Sequence, residues 1–231
     1  MPALPSKIRF VVATREDRHG FFTRTLMGKF LTYYKRSFIE LDLHESNKEG
    51  LATVYNKSIK KSKNDPAILI FAHDDILITD FFWPDQLIRA LQIFDIVGVA
   101  GNKRRLPNQP AWAFIDKDLT WDASSNLSGI VGHGHTYPPM NLSVYGPTCQ
   151  RVQLLDGLFL ASQSNVLIEN DLYFDERFDF HFYDLDFSRQ ASELGLKMGT
   201  WSFSVIHQSG GNFRSPAWQA ALNKYLDKWG E

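Results

Sequence analysis

Two apolar runs of strand length, Ile8–Ala13 (IRFVVA) and Ala67–Ala72 (AILIFA), constrain this chain more than any other feature. A strand buried on both faces reads as a run rather than as an alternation, and such strands need cover above and below. The residues around them supply that cover. Phe21 to Tyr34 sets Phe22, Leu26, Phe30, Tyr33 and Tyr34 at helical spacing, and Phe38 to Leu43 reads as a second strand. Gly50 to Lys61 reads as a helix whose closing lysines suit the negative end of its dipole. Asn64-Asp65-Pro66 marks a turn. Pro84 to Phe94 predicts a helix with proline in its first turn, followed by a short strand from Ile96 to Ala100. This order predicts an α/β fold with a mainly parallel central sheet flanked by helices. Right-handed crossovers then bring the loops after the strands to one carboxyl edge, where open α/β sheets bind ligands. Thr14-Arg15, Leu43-His44-Glu45 and His73-Asp74-Asp75 are expected around that crevice.

The regular pattern stops near Gly101. Residues 102–150 are rich in Gly, Pro, Asn, Ser and His, too long a stretch for an ordinary connection, and are expected to form an acceptor-side excursion. Val152 to Ala161 reads as a strand broken by Asp156-Gly157, where glycine permits close approach of a ligand or another backbone. A helix is expected from Tyr183 to Leu194, stopped by Gly195. Lys197 to Ile206 is strand-like, and Pro216 to Trp229 forms a terminal helix. The expected organisation is one domain over residues 1–231, with 1–100 the nucleotide-binding half and 101–231 the acceptor-binding and catalytic half.

Composition removes several functions. The formal charge of −1 encodes no broad attraction to nucleic acid. A single cysteine, Cys149, rules out an intrachain disulfide and favours a reducing compartment. Residues 1–7 lack a signal-peptide pattern, and no apolar run reaches the ~20 residues that span a bilayer. The expected location is cytoplasmic, with peripheral contact at the inner face of a membrane if the acceptor is lipid-linked. Aromatic residues make up 14% of the chain, which suits ring-lined sugar surfaces and large core side chains alike. The Walker loop, GxGxxG, HExxH and GxSxG patterns are all absent.

Three constellations carry the chemistry. His73-Asp74-Asp75 follows a buried strand, and adjacent carboxylates there repel unless a cation is near; hard oxygen ligands suit Mg²⁺ or Mn²⁺. The same residues also suit a polar strand exit. Asp184 and Asp186 fall at a helix start, where acids are favoured by the dipole, and where a carboxylate in a dry cleft can act as general base. His207 follows a strand and precedes Ser209-Gly210-Gly211-Asn212, so it can complete a metal shell or serve as a hydrogen-bonded structural histidine.

In order and spacing these pieces resemble the GT-A nucleotide-sugar glycosyltransferases, in particular the inverting family-2-like enzymes. The resemblance rests on Val11-Val12-Ala13-Thr14-Arg15, Gly50 to Lys57, Phe71-Ala72-His73-Asp74-Asp75, Asp156-Gly157-Leu158-Phe159, Phe182 to Ser188, and His207. It implies a Rossmann-like GT-A fold and transfer of a sugar from a nucleotide-diphosphate sugar to a hydroxyl of a glycan, lipid-linked or other acceptor. It implies that Thr14, Arg15 and Glu45, with Asn56 nearby, line the nucleoside pocket. His73 and Asp74 would stand at the donor nucleotide, and Asp156 and Gly157 would border donor sugar and acceptor. It also implies that Asp75 and His207 hold a divalent metal and that Asp184 is the catalytic base. Two positions depart from the family pattern: His73 replaces the first Asp of Asp-x-Asp, and Tyr183 replaces the Glu before the base. A sugar-phosphate nucleotidyltransferase and a non-catalytic carbohydrate-binding protein share the general architecture. The first would need a glycine-rich loop after the first strand, where this chain has one glycine, Gly20.

Overall fold

The computed structural model describes residues 7–230; the reading of the N-terminal residues 1–6 lies outside the described residues. The first half runs β1 (Ile8–Ala13), α1 (Arg18–Arg24), α2 (Leu26–Tyr33), β2 (Ile39–His44), α3 (Leu51–Lys61), β3 (Ile68–Ala72), β4 (Ile76–Ile78), α4 (Trp83–Leu91), β5 (Ile96–Gly98) and β6 (Ala100–Asn102). The second half runs β7 (Leu127–His133), β8 (Asn141–Gly146), β9 (Arg151–Val152), β10 (Leu154–Leu155), β11 (Phe159–Gln163), α5 (Ser164–Glu169), α6 (Tyr183–Glu193), β12 (Met198–Thr200), β13 (Val205–His207) and α7 (Pro216–Trp229).

The central sheet has seven strands in the order β2-β1-β3-β11-β5-β12-β9. β1 pairs in parallel with β2 and β3, and β5 with β12, but β11 lies antiparallel between β3 and β5. Among the described residues the sheet is therefore mainly parallel but mixed: β1, β2, β3, β5 and β12 run one way, and β11 and β9 run against them. An apolar run does not encode strand direction, and β11 reads from sequence like any other buried strand. A second sheet, β10-β6-β7-β13-β4 with β8 paired to β7, is built largely from residues expected to be irregular. Among the described residues no helix is long and apolar enough to cross a membrane.

Local chemistry explains two further departures. The helix expected over 21–34 is two helices, because Thr25 adopts extended backbone and caps both. Its hydroxyl donates to the Phe21 carbonyl at 2.8 Å and accepts from the Gly28 amide at 3.0 Å. A Cβ at Gly28 would sit 2.0 Å from the Phe21 carbonyl oxygen, so glycine lets the two helices cross. In β1, Arg9 interrupts the apolar run yet is almost fully buried. Its guanidinium bonds Glu40 at 2.9 Å, Ser62 at 2.9 Å and the Asp65 carboxylate, so the charge is paired within the fold.

α3 is tied across the molecule by Asn56. This buried amide donates to the Phe174 carbonyl at 2.8 Å and to Glu176 at 3.0 Å, and accepts from the Phe174 amide at 2.9 Å. The 174–176 segment leads into α6, so this clamp positions the start of that helix from behind. Asn56→Ala leaves the Phe174 backbone unpaired in the interior, and an expected loss of about 2–4 kcal/mol follows from the cost of orphaned buried groups. Chemical denaturation should show a lower midpoint with an unchanged slope.

Candidate active site

Three chain crossings meet at the carboxyl end of β3. The loop His73-Asp74-Asp75 connects β3 to β4. β13 pairs with β4 so that His207 lies opposite Ile76, which carries the histidine to Asp75. β11 pairs with β3, and the His73 amide donates to the Leu158 carbonyl at 3.1 Å, which brings Asp156-Gly157 alongside.

His73, Asp75 and His207 present ligand atoms within 4.8 Å of one another. Asp75 Oδ2 accepts from the Ser209 amide at 3.2 Å, and the Asp75 carbonyl accepts from the Gln208 amide at 3.0 Å. Asp75 Oδ1 is buried and lies 3.3 Å from His207 Nε2, with no well-directed hydrogen bond. Burial works against charge on Asp75, but the adjacent His207 and the Ser209 amide outweigh it and hold the carboxyl well below the usual range. Burial would lower His207, but the Asp75 carboxylate raises it on balance. Burial lowers His73, which is therefore neutral at pH 7. Tyr183 fixes its tautomer. The Tyr183 hydroxyl donates to the Gly157 carbonyl at 2.8 Å and so accepts from His73 Nε2 at 2.9 Å, leaving Nδ1 with the free lone pair. Two imidazoles and one carboxylate with an unsatisfied buried oxygen form a set that fits a divalent cation. The resemblance implies Asp75 and His207 as ligands; the geometry places His73 within reach of the same point.

Asp184 stands at the start of α6, where Phe182 takes a left-handed φ of 66° and turns the chain into the helix. Its carboxylate accepts from the Gly157 amide at 3.0 Å and the Leu185 amide at 2.9 Å. Burial, then the charge of Asp156, pushes its pKa up to about 7. Asp186, two residues on, faces the other way. It is fully buried and bonds Lys228 at 2.6 Å, Trp229 at 2.9 Å and Gln190 at 2.7 Å, so it anchors α7 to α6. Gly157 joins the halves of the site, since a Cβ there would meet the Tyr183 hydroxyl at 2.2 Å and Asp184 Cβ at 2.9 Å.

Asp156 accepts from the Trp112 indole at 2.6 Å and the Leu158 amide at 2.9 Å. Trp112 meets Tyr145 edge-on at 4.9 Å, and Tyr145 stacks on the half-exposed Trp121 at 5.8 Å. Nothing in the sequence singles out Trp112, because it acts through a contact 44 residues away. Thr14 is buried and donates to Asp74 at 2.6 Å, joining the β1 and β3 exits; burial raises the Asp74 carboxyl. Arg15 and Glu45 are exposed at the β1 and β2 exits, which are laced together by Thr14 N–H to His44 at 3.0 Å and Asn47 N–H to Thr14 at 2.8 Å. Asn56 is committed to Phe174 and Glu176. His133 bonds Ser143 at 2.8 Å, and His135 is exposed.

Residues 35–228 match the sequence model of the Glycosyltransferase like family, so this chain belongs to that family, and it is a glycosyltransferase of the GT-A fold. No curated protein matches it by sequence. Similar solved structures include A197 from STIV, with TM-score 0.51 and 10% identity over 90% of this chain and 97% of that one. GalNAc-T7, crystallised with UDP, GalNAc and Mn²⁺, aligns with TM-score 0.53 and 11% identity over 96% of this chain and 47% of its own. TarS from S. aureus aligns with TM-score 0.53 and 14% identity over 95% of this chain and 39% of its own. This chain thus spans less than half the length of the last two, and at such identities the likeness concerns the fold.

The hydrogen bond from His73 to Tyr183 yields a direct test of the cation site. Tyr183→Phe should weaken divalent-metal binding by about 10–100-fold, the usual effect of removing a partner that orients a metal-ligating histidine. Asp75→Asn should abolish it. Calorimetric titration of the protein with Mn²⁺ alone measures both.

Proposed function

We propose that this glycosyltransferase moves a sugar from a nucleotide-diphosphate sugar to an acceptor hydroxyl with inversion, Asp184 serving as general base. The single observation that carries the reading is the Asp184 carboxyl, fixed by two backbone amides beside Asp156 and poised to exchange a proton near neutral pH.

In this reading the nucleoside lies over the β1 and β2 exits, with Thr14, Arg15 and Glu45 lining its pocket and Asp74 next to the ribose or diphosphate. His73, Asp75 and His207 would hold Mn²⁺ or Mg²⁺; the ion, when bound, neutralises charge on the departing diphosphate as a Lewis acid. A Mn²⁺ in GalNAc-T7 supports a divalent ion in this fold. Asp156 and Gly157 border the sugar. The acceptor hydroxyl oxygen bonds to the anomeric carbon as the bond from that carbon to the diphosphate oxygen breaks. The hydroxyl proton passes to Asp184, and the electron pair leaves with the nucleoside diphosphate. A single displacement inverts the anomeric centre. Residues 101–231 form the acceptor-binding and catalytic half, and the acceptor is a glycan, a lipid-linked sugar or another hydroxyl compound.

Asp184→Asn keeps the side-chain volume, gives up one of the two backbone-amide bonds and loses the base. It should bind nucleoside diphosphate normally while turnover falls by about 10²–10⁴-fold. In the parent enzyme, kcat/KM should rise with pH through about 7 and then level off, because the base is active only when ionised and its free-enzyme pKa is raised to about 7. A flat profile from pH 5 to 8 would remove Asp184 from the role.

A further inference from the structure

Charge is unevenly spread along this chain. Residues 18–39, which run through α1 and α2 to the start of β2, hold five of its 25 Lys and Arg and none of its 26 Asp and Glu. Arg24 pairs with Glu16. The other four are exposed. Arg18 and Arg36 lie over the rings of Phe22 and Tyr34, at 5.8 and 5.0 Å. Among the described residues no carboxylate pairs with Arg18, Lys29, Lys35 or Arg36.

Large aromatic side chains stand out of the same face. Tyr33 is 89% exposed, one turn beyond Lys29 on the outer side of α2. The Tyr34 hydroxyl donates to the Phe81 carbonyl at 3.0 Å, which sets Phe81 and Phe82, 79% and 69% exposed, beside the end of that helix. Beneath them Phe30, Tyr34 and Trp83 pack on one another, so the exposed rings stand on a firm support. A cleft of about 390 Å³ opens between Arg18, Lys35 and Arg36, with Phe22, Leu31 and Ile39 in its lining. The nearby acids do not cancel the cations. Glu40 is held by Lys7 and Arg9, Asp80 accepts from the Phe82 amide at 2.7 Å, and Asp85 stands at the positive end of α4.

We infer that this face docks on the surface of an anionic lipid bilayer, with Tyr33, Phe81 and Phe82 at headgroup depth and Lys29, Lys35 and Arg36 against the lipid phosphates. Charge complementarity selects the occupant. An apolar protein surface would leave the cations unanswered. A nucleic acid would answer them, but stacking on bases needs rings set along a basic groove, and rings this exposed project from the surface. A bilayer takes up rings and cations together. The face also stands close to the catalytic loop. The Met27 amide, in the first turn of α2, donates to the Asp74 carbonyl at 3.0 Å, and Tyr33 lies ~10 Å further along the helix. Docking therefore holds the catalytic edge near the bilayer, and it depends neither on Asp184 nor on a bound cation.

Co-sedimentation of the full chain with vesicles tests the docking. The chain should pellet with vesicles of phosphatidylcholine and phosphatidylglycerol in equal parts, and stay in solution with phosphatidylcholine alone. Rising salt should release it from the anionic vesicles without any mutation. A cation near an anionic surface strengthens binding by about fivefold, so Lys29→Ala/Lys35→Ala/Arg36→Ala should bind about 100-fold more weakly. Tyr33→Ser/Phe81→Ser/Phe82→Ser should lose about tenfold or more. All six side chains are exposed, so both variants keep the core intact. No binding to the anionic vesicles overturns the inference, as does equal binding to phosphatidylcholine alone or either variant binding like the parent. Binding of a single-stranded oligonucleotide in preference to the anionic vesicles assigns the face to nucleic acid and equally overturns it.

Discussion

The catalytic end of the molecule depends on one close approach, that of Gly157 to the first turn of α6. Because Gly157 has no side chain, the Tyr183 hydroxyl reaches its carbonyl and Asp184 reaches its amide. The same hydroxyl then sets the tautomer of His73. One residue without a Cβ therefore couples the His73, Asp75 and His207 cluster on one side to the Asp184 carboxyl on the other. Tyr183 stands where the family pattern has a glutamate, and this geometry gives it a task of its own. It is a rigid neutral arm joining the Gly157 carbonyl to His73, where a third carboxylate would add charge beside Asp156 and Asp184.

The two sheets divide the labour. The central sheet sets the exits of β1 and β3 that hold Thr14 and Asp74 and the entry of β11 that holds Asp156, and the second sheet supplies His207 through β13. The His73, Asp75 and His207 cluster exists only where the two meet, so His207 lies more than a hundred residues from the other two in sequence. A mixed central sheet is needed for this. β11, running against its neighbours, begins rather than ends at the catalytic edge, and its leading residues Asp156-Gly157 can thus stand beside the exits of β3.

Much of this was legible in sequence, and what was missed has a common cause. Buried runs announce β1 and β3, and acids placed just after them announce the site, because charge at a strand exit is costly without a purpose. The helix at Tyr183 and its leading Asp184 follow from similar signals. Strand direction in β11 does not, since burial is symmetric under reversal. The break at Thr25 turns on one side chain satisfying two helix ends, an arrangement that apolar spacing overlooks. Asn56 and Trp112 act through single distant hydrogen bonds, to Phe174 and Asp156, and one sequence carries no mark of such pairs. Arg9 is misleading in the other direction, as a charge in a buried run whose partners, Glu40 and Asp65, come from other segments.

Arg9 also gives the central sheet an electrical polarity along its strands. At the end away from the site, Glu40 has a depressed pKa: burial would raise it, but Lys7 and Arg9 outweigh burial. Asp65 is depressed as well, chiefly by Lys7. At the catalytic end, burial raises Asp74 and Asp184. A depressed carboxyl contributes stability above its unfolded pKa and loses it as pH falls through the lower folded value. A raised one is most comfortable when protonated and becomes a burden as pH climbs toward 7. Between about pH 4 and 7, then, acidification relieves Asp74 and Asp184, while Asp75 and the opposite edge keep their ion pairs. The far edge of the sheet thus carries paired, outward-facing charges, while the catalytic edge sets a paired carboxyl, Asp75, beside two strained ones, Asp74 and Asp184.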